Sequence, residues 1–437
     1  MSKKNNKHFV NLTNKFLTTT STKEKYRIKS TDFTRERKLS FSELSLCMLR
    51  LLRQNLQIEL TKFICDVKKS ISSYSSSAFI QSRKKISPDL FYDLNKLISE
   101  DFYQDNDEVV EMYKGHRLLG IDGSTINLPV NAETIQLYGA YNNQKQTNDV
   151  VLARVSILYD VLNDIVLDGV LCNFKVGEVT LSQQQIPLAK ENDIIIMDRA
   201  YPSFESIYEM QQRKIHFVYR CKVRFSNVVA QFYESRKKDS LIDIKPSQKI
   251  SSKGLSYSKN LSIQIRILRI ELQSGEEEIL ITSLLDSKTY PHKDFKALYY
   301  KRWAIETFYN RFKNIIGVEN FSGTSDQFIQ QEFNCALYMS TLQSIFSKEA
   351  QADANEKYKT RQYEYKINNS LSLCFIRNKI LEIFSNKIQI DEKLKELKTL
   401  FIINVIPIRP NRSFERNPNK YRQRTKPKLF PNRRNVI

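Results

Sequence analysis

Tyr299, Arg302, Glu306 and Lys313 are spaced so that a helix would gather them on one side. At about 100 degrees per residue, with Tyr299 at zero, Arg302, Lys313 and Glu306 fall at about 300, 320 and 340 degrees. Ala304, Ile305, Phe308, Phe312 and Ile315 take the opposite face and predict a core contact; Lys301 is the one charge that lands there. Alone, this stripe could be an amphipathic helix with an Arg302–Glu306 pair at i,i+4. Two apolar strands change that reading, because Leu118-Leu-Gly-Ile-Asp122 and Asp193-Ile-Ile-Ile-Met-Asp198 each end on an acid. A carboxylate at a strand end projects from rigid backbone, so Asp122, Asp198 and Glu306 could converge. Three oxygen ligands without His or Cys suit Mg2+ or Mn2+, and a pair of such ions about 4 Å apart would serve in-line phosphoryl displacement.

The elements that must carry these residues read as mixed α/β. Val150 to Val161 and Ile165 to Cys172 are β-rich runs around the turn Leu162-Asn-Asp164, which predicts a three-stranded meander with the strand before Asp122. Helices are expected over Thr180 to Lys190 and Ser203 to Arg213, and strand-like runs recur from His216 to Asp286 as a β-rich insertion. From Lys293 to about Phe401 the pattern is helical. Nearer the N-terminus, residues 1–38 show little periodicity and read as a flexible basic arm. A capping box at Ser40 and Glu43 opens one long amphipathic helix that ends before Lys68. A Ser-rich turn follows, then Arg83-Lys-Lys85 and a helix from Pro88 to Ile98; helix, turn and helix suit a small DNA-binding module and equally suit plain helical packing.

The chain has 437 residues and a formal net charge of +21. Residues 1–88 hold 19 Lys or Arg against 6 acids, and residues 409–437 hold 10 against 1, so the body between is close to neutral. Two basic ends on a balanced body form an electrostatic footprint for a phosphate backbone. The apolar runs are far shorter than the roughly 18 residues of a spanning helix, and Met1 to Lys7 has no apolar run behind it, so a cytoplasmic protein with no membrane association is expected. Six scattered Cys and four His form no zinc pattern; the Cys read as reduced core residues and the His as structural.

The spacing Tyr299-x2-Arg302-x3-Glu306-x6-Lys313 resembles the Y-R-E-K signature of DDE transposases of bacterial insertion sequences, in insertion-sequence family four. Gly120-Ile-Asp-Gly-Ser-Thr125 looks like that family's first-Asp block, and Asp198-Arg-Ala-Tyr201 looks like its Asp-Arg-Gly-Tyr block, with Ala200 in place of Gly. Ile281-Thr-Ser-Leu-Leu-Asp286 looks like the strand before the signature helix, and the resemblance runs over about residues 30–415. It implies an RNase H-like mixed sheet with a β-rich insertion, flanked by helical N- and C-terminal regions.

The domains expected are a basic arm (1–38), a helical DNA-binding region (39–112), the first part of the catalytic core (113–215), the insertion (216–290), the last part of the core (291–325), a helical region for dimerisation (326–408) and a basic tail (409–437). The resemblance further implies that Asp122, Asp198 and Glu306 are catalytic and bind two divalent ions, Mg2+ or Mn2+, and that Tyr299, Arg302 and Lys313 hold phosphates at the element's end. The expected activity is metal-dependent endonucleolytic cleavage at inverted terminal repeats, then strand transfer of the 3'-hydroxyl ends into target DNA by a homodimer associated with the bacterial nucleoid. Arg199 is expected either to face phosphate or to brace Asp198. Arg35, Arg37, Arg83 and Lys84 are candidates for end recognition. The single Trp lies at Trp303, so Phe217, Tyr219, Phe225, Phe232, Tyr233 or Tyr257 would have to stack on any flipped base. A nuclease that cuts without joining and a non-catalytic DNA-binding derivative are the alternatives.

Overall fold

The computed structural model describes residues 4–35, 37–52, 55–68, 72–104, 109–141, 150–246, 261–272, 275–385 and 389–409. Its first helices are α1 (Asn6–Thr18), α2 (Thr20–Tyr26), α3 (Phe41–Leu49), α4 (Leu56–Lys68), α5 (Ser76–Arg83) and α6 (Asp89–Phe102). The expected flexible arm is therefore mostly helical and docked. Phe9, Val10 and Leu17 line up on the inner face of α1 and are buried, an apolar spacing of seven to eight residues that the surrounding Lys and Thr obscure. The long helix expected from Ser40 is also two helices. The capping box forms, with the Ser40 hydroxyl accepting from the Glu43 amide and the Glu43 carboxylate from the Ser40 amide. Leu51 then takes φ +53°, which closes α3 and buries Leu51 and Leu52 from irregular backbone.

A nine-stranded sheet forms the centre. It contains β1 (Leu118–Leu128), β2 (Ala140–Tyr141) after the short helix α7 (Ala132–Tyr138), β3 (Val150–Asp160) and β4 (Ile165–Asn173). Beyond α8 (Glu178–Gln185) come β5 (Ile194–Met197), α9 (Phe204–Gln212), β6 (His216–Cys221), α10 (Asn227–Glu234), β7 (Asp239–Ile244), β8 (Ile263–Glu271) and β9 (Glu277–Thr282). The strand order is β2-β3-β1-β5-β6-β9-β8-β7, with β4 also on the outer edge of β3. β1 pairs in parallel with β5 and β5 with β6, and the remaining pairs are antiparallel. The strands of the expected β-rich insertion (216–290) continue this sheet, and the first of them, β6, pairs with β5 along its length.

Alternation along the strands explains why the sheet is covered on both faces. Ile194 and Ile196 of β5 and Val218 of β6 enter one apolar cluster, while Ile195, Met197, Phe217 and Tyr219 enter the other. The first face is covered by α12 (Trp303–Asn314), which follows α11 (Asp294–Tyr300), and by the 33-residue α13 (Asp326–Tyr358). Phe204, Ile207 and Met210 of α9 close the second. α13 approaches β4 so tightly that a Cβ on Gly169 would stand 2.5 Å from Leu337 Cδ1. The hairpin β10 (Tyr365–Ile367) and β11 (Val405–Pro407) brackets α14 (Asn369–Ser385) and α15 (Ile390–Ile403). Residues 410–437, which hold nearly all of the expected basic tail, lie outside the described residues. Cys47, Cys221 and Cys335 are buried as expected, whereas Cys65, Cys172 and Cys374 are half-buried; all six are free thiols. No helix among the described residues is long and apolar enough to cross a membrane.

Candidate active site

The parallel pair β1–β5 sets the site. Its register runs from Leu118 opposite Ile194 to Gly120 opposite Ile196, and two more residues on each strand bring Asp122 level with Asp198. Neighbouring strands lie about 4.8 Å apart, so the two acids stand side by side where β5 ends. Asp122 is nevertheless not a strand end, as β1 continues to Leu128 through its antiparallel pairing with β3. Only the parallel partner stops there.

α12 delivers the third acid by gripping β1 over three successive turns. Ile305 packs on Gly120, where an added Cβ would come within 3.8 Å of it. One turn on, the Tyr309 hydroxyl donates to the Asp122 carbonyl at 2.7 Å. At the far end Lys313 Nζ donates to Ser124 Oγ at 2.6 Å and to the Thr125 carbonyl at 2.7 Å. Glu306 follows Ile305 and lies beside the strand acids. The stripe from Tyr299 to Lys313 is not one regular helix: the amides of Lys301, Arg302, Ala304 and Ile305 bond three residues back, a tight turn joining α11 to α12. Tyr299 thus comes from α11, and its hydroxyl donates to Asp198 Oδ1 at 3.4 Å. Ile315, expected in the core, lies just past α12 and is exposed.

Arg302 ties the acids together. Its Nη2 bonds Glu306 Oε1 at 2.8 Å, and its charge acts on Asp198 and Asp122 as well. The residue is 7% exposed, yet its Nε has no hydrogen-bond partner among the described residues. Burial pushes the Asp122 carboxyl up to about 6, with the Gly123 amide and Arg302 opposing and Glu178 and Glu306 adding to the rise. Burial also lowers the Lys313 ammonium, against the pull of Glu319 and Asp122. As folded, no three His, Cys, Asp or Glu side chains among the described residues form a group that could hold a metal ion. Glu306 faces Arg302 instead. The donor chemistry still fits a hard divalent cation: all three groups are carboxylates, and Asp122 is destabilised as an anion until positive charge reaches it.

Other expected contacts fare differently. Arg199 is exposed and makes no hydrogen bond or ion pair among the described residues, so it does not brace Asp198. Arg35 and Arg37 are exposed and line one groove with Lys38 and Lys85, and Lys84 is exposed at the end of α5. Arg83 must be corrected as a DNA contact. It is 2% exposed, pairs with Glu332 at 3.0 Å, donates to Gln331, Ser322 and the Phe328 carbonyl, and lies over the Phe328 ring. Of the aromatic residues expected to stack on a flipped base, Phe217, Tyr219 and Phe232 are core residues, Phe225 and Tyr233 are half-buried, and Tyr257 lies outside the described residues. Ala200 does not have positive φ, so the exchange for Gly in its block costs no strain. The four His bond elsewhere: His8 to Asp101, His116 to the Asn192 carbonyl and Tyr290, His216 to Ser283, and His292 to the Arg269 carbonyl.

Several buried or paired residues of the core escaped sequence reading. Tyr201, 2% exposed, donates to Asp122 Oδ1 at 3.4 Å; its place in the second-Asp block was the available signal. Arg311 is buried in α12, with its Nη2 donating to Tyr159 and Ser340, and carried no signal beyond its helical position. Glu178 opens α8 and pairs with Arg154 of β3 at 2.5 Å.

The sequence profile of the family described as Transposase DDE domain matches residues 113–342. The chain belongs to this family of transposases. DDE domains generally use divalent metal ions. No curated protein matches the chain. Among solved structures, the chain is similar to a piggyBac transposase in a cryo-EM synaptic complex with hairpin DNA, at 10% identity over 97% of this chain and 91% of that one. With a TM-score of 0.43, that likeness assigns nothing to this DDE protein.

Proposed function

We propose that this DDE protein is a transposase of the insertion-sequence family four type, cleaving DNA at inverted terminal repeats and transferring the 3'-hydroxyl ends into target DNA. The observation that carries this reading is Arg302, which bonds Glu306 and whose charge also acts on Asp122 and Asp198. The strand order β4-β3-β1-β5-β6, with β3 antiparallel to its neighbours, supports an RNase H-like core, and β7 to β9 form its insertion. Asp122, Asp198 and Glu306 would hold the divalent ions, Mg2+ or Mn2+ and two in number. Bound there, such ions would activate an attacking hydroxyl and offset charge on the phosphate.

The chain's own groups do the positioning. A phosphate drawing the Arg302 guanidinium away would free Glu306, which it bonds at 2.8 Å. Tyr299 orients Asp198, while Tyr309 and Lys313 fix the β1 backbone at and beyond Asp122. Lys313 then reaches DNA only by giving up the Ser124 hydroxyl. Arg199, Arg35, Arg37 and Lys84 remain the exposed cations for DNA, with a homodimer as the working assembly on the nucleoid. A strand-transfer assay with pre-cleaved ends tests the joining step: joined products support a transposase, and cleavage without joining supports a nuclease.

A further inference from the structure

α5 and the turn that follows it carry two opposite stripes. Phe79, Arg83 and Ile86 are buried at i, i+4 and i+7, while Ser77, Gln81 and Lys84 are exposed at the same spacing. The buried stripe bolts the helix to the catalytic body. Arg83 donates to Ser322, in the connection between α12 and α13, and the side-chain amides of Gln327 and Gln331 on α13 donate back to the carbonyls of Arg83, Lys84 and Ile86. α5 is therefore fixed to the chain that leaves the helix bearing Glu306. Its other side borders a groove whose far wall is residues 31–39. That wall has a set shape: the Asp32 carboxylate accepts from the Lys29 amide at 3.0 Å, Phe33 takes φ +58° and packs edge-on against Phe41, and Lys38 Nζ donates to the Ser73 carbonyl at 2.9 Å. Asp32 is the one acid among the described lining residues, and Lys85 lies 3.6 Å from it. Arg35 and Arg37 are exposed there and make no ion pair among the described residues. On the helix wall the Ser82 hydroxyl is taken up by Tyr74 at 2.9 Å, whereas the Gln81 carboxamide makes no hydrogen bond among the described residues. A free donor and acceptor set between unpaired cations have the chemistry of base reading beside phosphate contacts. The eight residues of α5 span about 12 Å, which matches the width of a DNA major groove.

We infer that α5 is the helix that reads the terminal repeat, with Gln81 as its base-contacting side chain and Arg35, Arg37 and Lys84 on the flanking phosphates. The inference rests on the transposase reading above and names the residue that would give it sequence preference. Adenine is the base expected opposite Gln81, because its N7 and N6 present the acceptor and donor that a carboxamide matches. The buried Arg83 serves the same end from the other face: it holds the reading helix at a fixed place on the body that carries the acids.

The test is the Kd of the full-length protein for a duplex carrying the DNA that flanks this reading frame and for a scrambled duplex of the same composition, with base preference at each position read by sequencing the bound members of a randomised pool. Gln81→Ala is expected to lower the preference for the flanking duplex by roughly 5- to 150-fold. Its affinity for the scrambled duplex and its salt slope should stay at the wild-type values, since no phosphate contact is lost. Gln81→Glu keeps only acceptors, so the preference at one position should move from adenine to cytosine, a result that misfolding does not produce. An unchanged preference in both Gln81 variants, with Arg35→Ala and Arg37→Ala weakening the two duplexes alike, overturns the inference and leaves a groove that holds phosphate only, with the transposase reading intact. Equal binding of the two duplexes by the wild type overturns the inference together with recognition of terminal repeats.

Discussion

At the scale of single residues, burial decides what a charge can do. Arg83 was attractive as a DNA contact because it opens a basic tripeptide, but it is enclosed by Glu332, Gln331, Ser322 and Phe328. Arg83→Ala leaves Glu332 without its partner in a dry site, so stability should fall by about 3–5 kcal/mol, read by denaturant unfolding, while the salt slope of DNA binding should not change. Asp122 gives a prediction of opposite sign. Its folded pKa of about 6 lies above the ordinary 3.8, so the folded state holds the proton more tightly than the unfolded chain. The associated stability is present below about pH 4 and is lost as pH rises through 6. In metal-free buffer, Asp122→Asn should therefore be more stable than the wild type at pH 7.5, by up to about 3 kcal/mol at 1.4 kcal/mol per pKa unit. The gap should close near pH 4. A gap independent of pH would contradict the burial of the Asp122 anion.

At the scale of elements, the strands that carry Asp122 and Asp198 and the helix that carries Glu306 were legible because their patterns are local, although a tight turn puts Tyr299 on α11 and β1 runs on past Asp122. Buried apolar alternation marks β5 and β6, and the Ser40–Glu43 box forms as its sequence pattern implies. What stayed illegible depends on distant partners. The residues of α1 bury against a body that begins many residues later, Leu51 breaks a helical pattern by adopting a left-handed conformation, and β6 to β9 join the central sheet through pairings that no short window reveals. Glu178 belongs to this group, since its contact with Gly123 joins α8 to β1 across 55 residues of chain. The packing of β4 on α13 is a further such feature. Gly169→Ala must displace Leu337 from a tight fit, and thermal unfolding should report about 1–3 kcal/mol of destabilisation. An unchanged melting temperature would mean that this helix–sheet packing is looser than described.

At the scale of the whole molecule, the +21 charge divides into basic ends and a neutral body, and part of the basic N-terminal region is ordered structure. Arg35, Arg37, Lys38 and Lys85 line one groove there. Replacing both Arg35 and Arg37 with Ala should weaken DNA binding across sequences and lower the salt slope by about one for each phosphate that is no longer neutralised; an unchanged slope would move the interface elsewhere. Everything proposed for the chemistry requires the three acids to act as one metal-dependent site. The most direct measurement is cleavage, in Mg2+, of labelled duplexes carrying the DNA that flanks this reading frame, by the wild type and by Glu306→Gln at matched DNA occupancy. A three-acid metal site predicts nicks at the element's ends for the wild type, and background cleavage for a variant that still binds the duplex. Full cleavage by Glu306→Gln would contradict it.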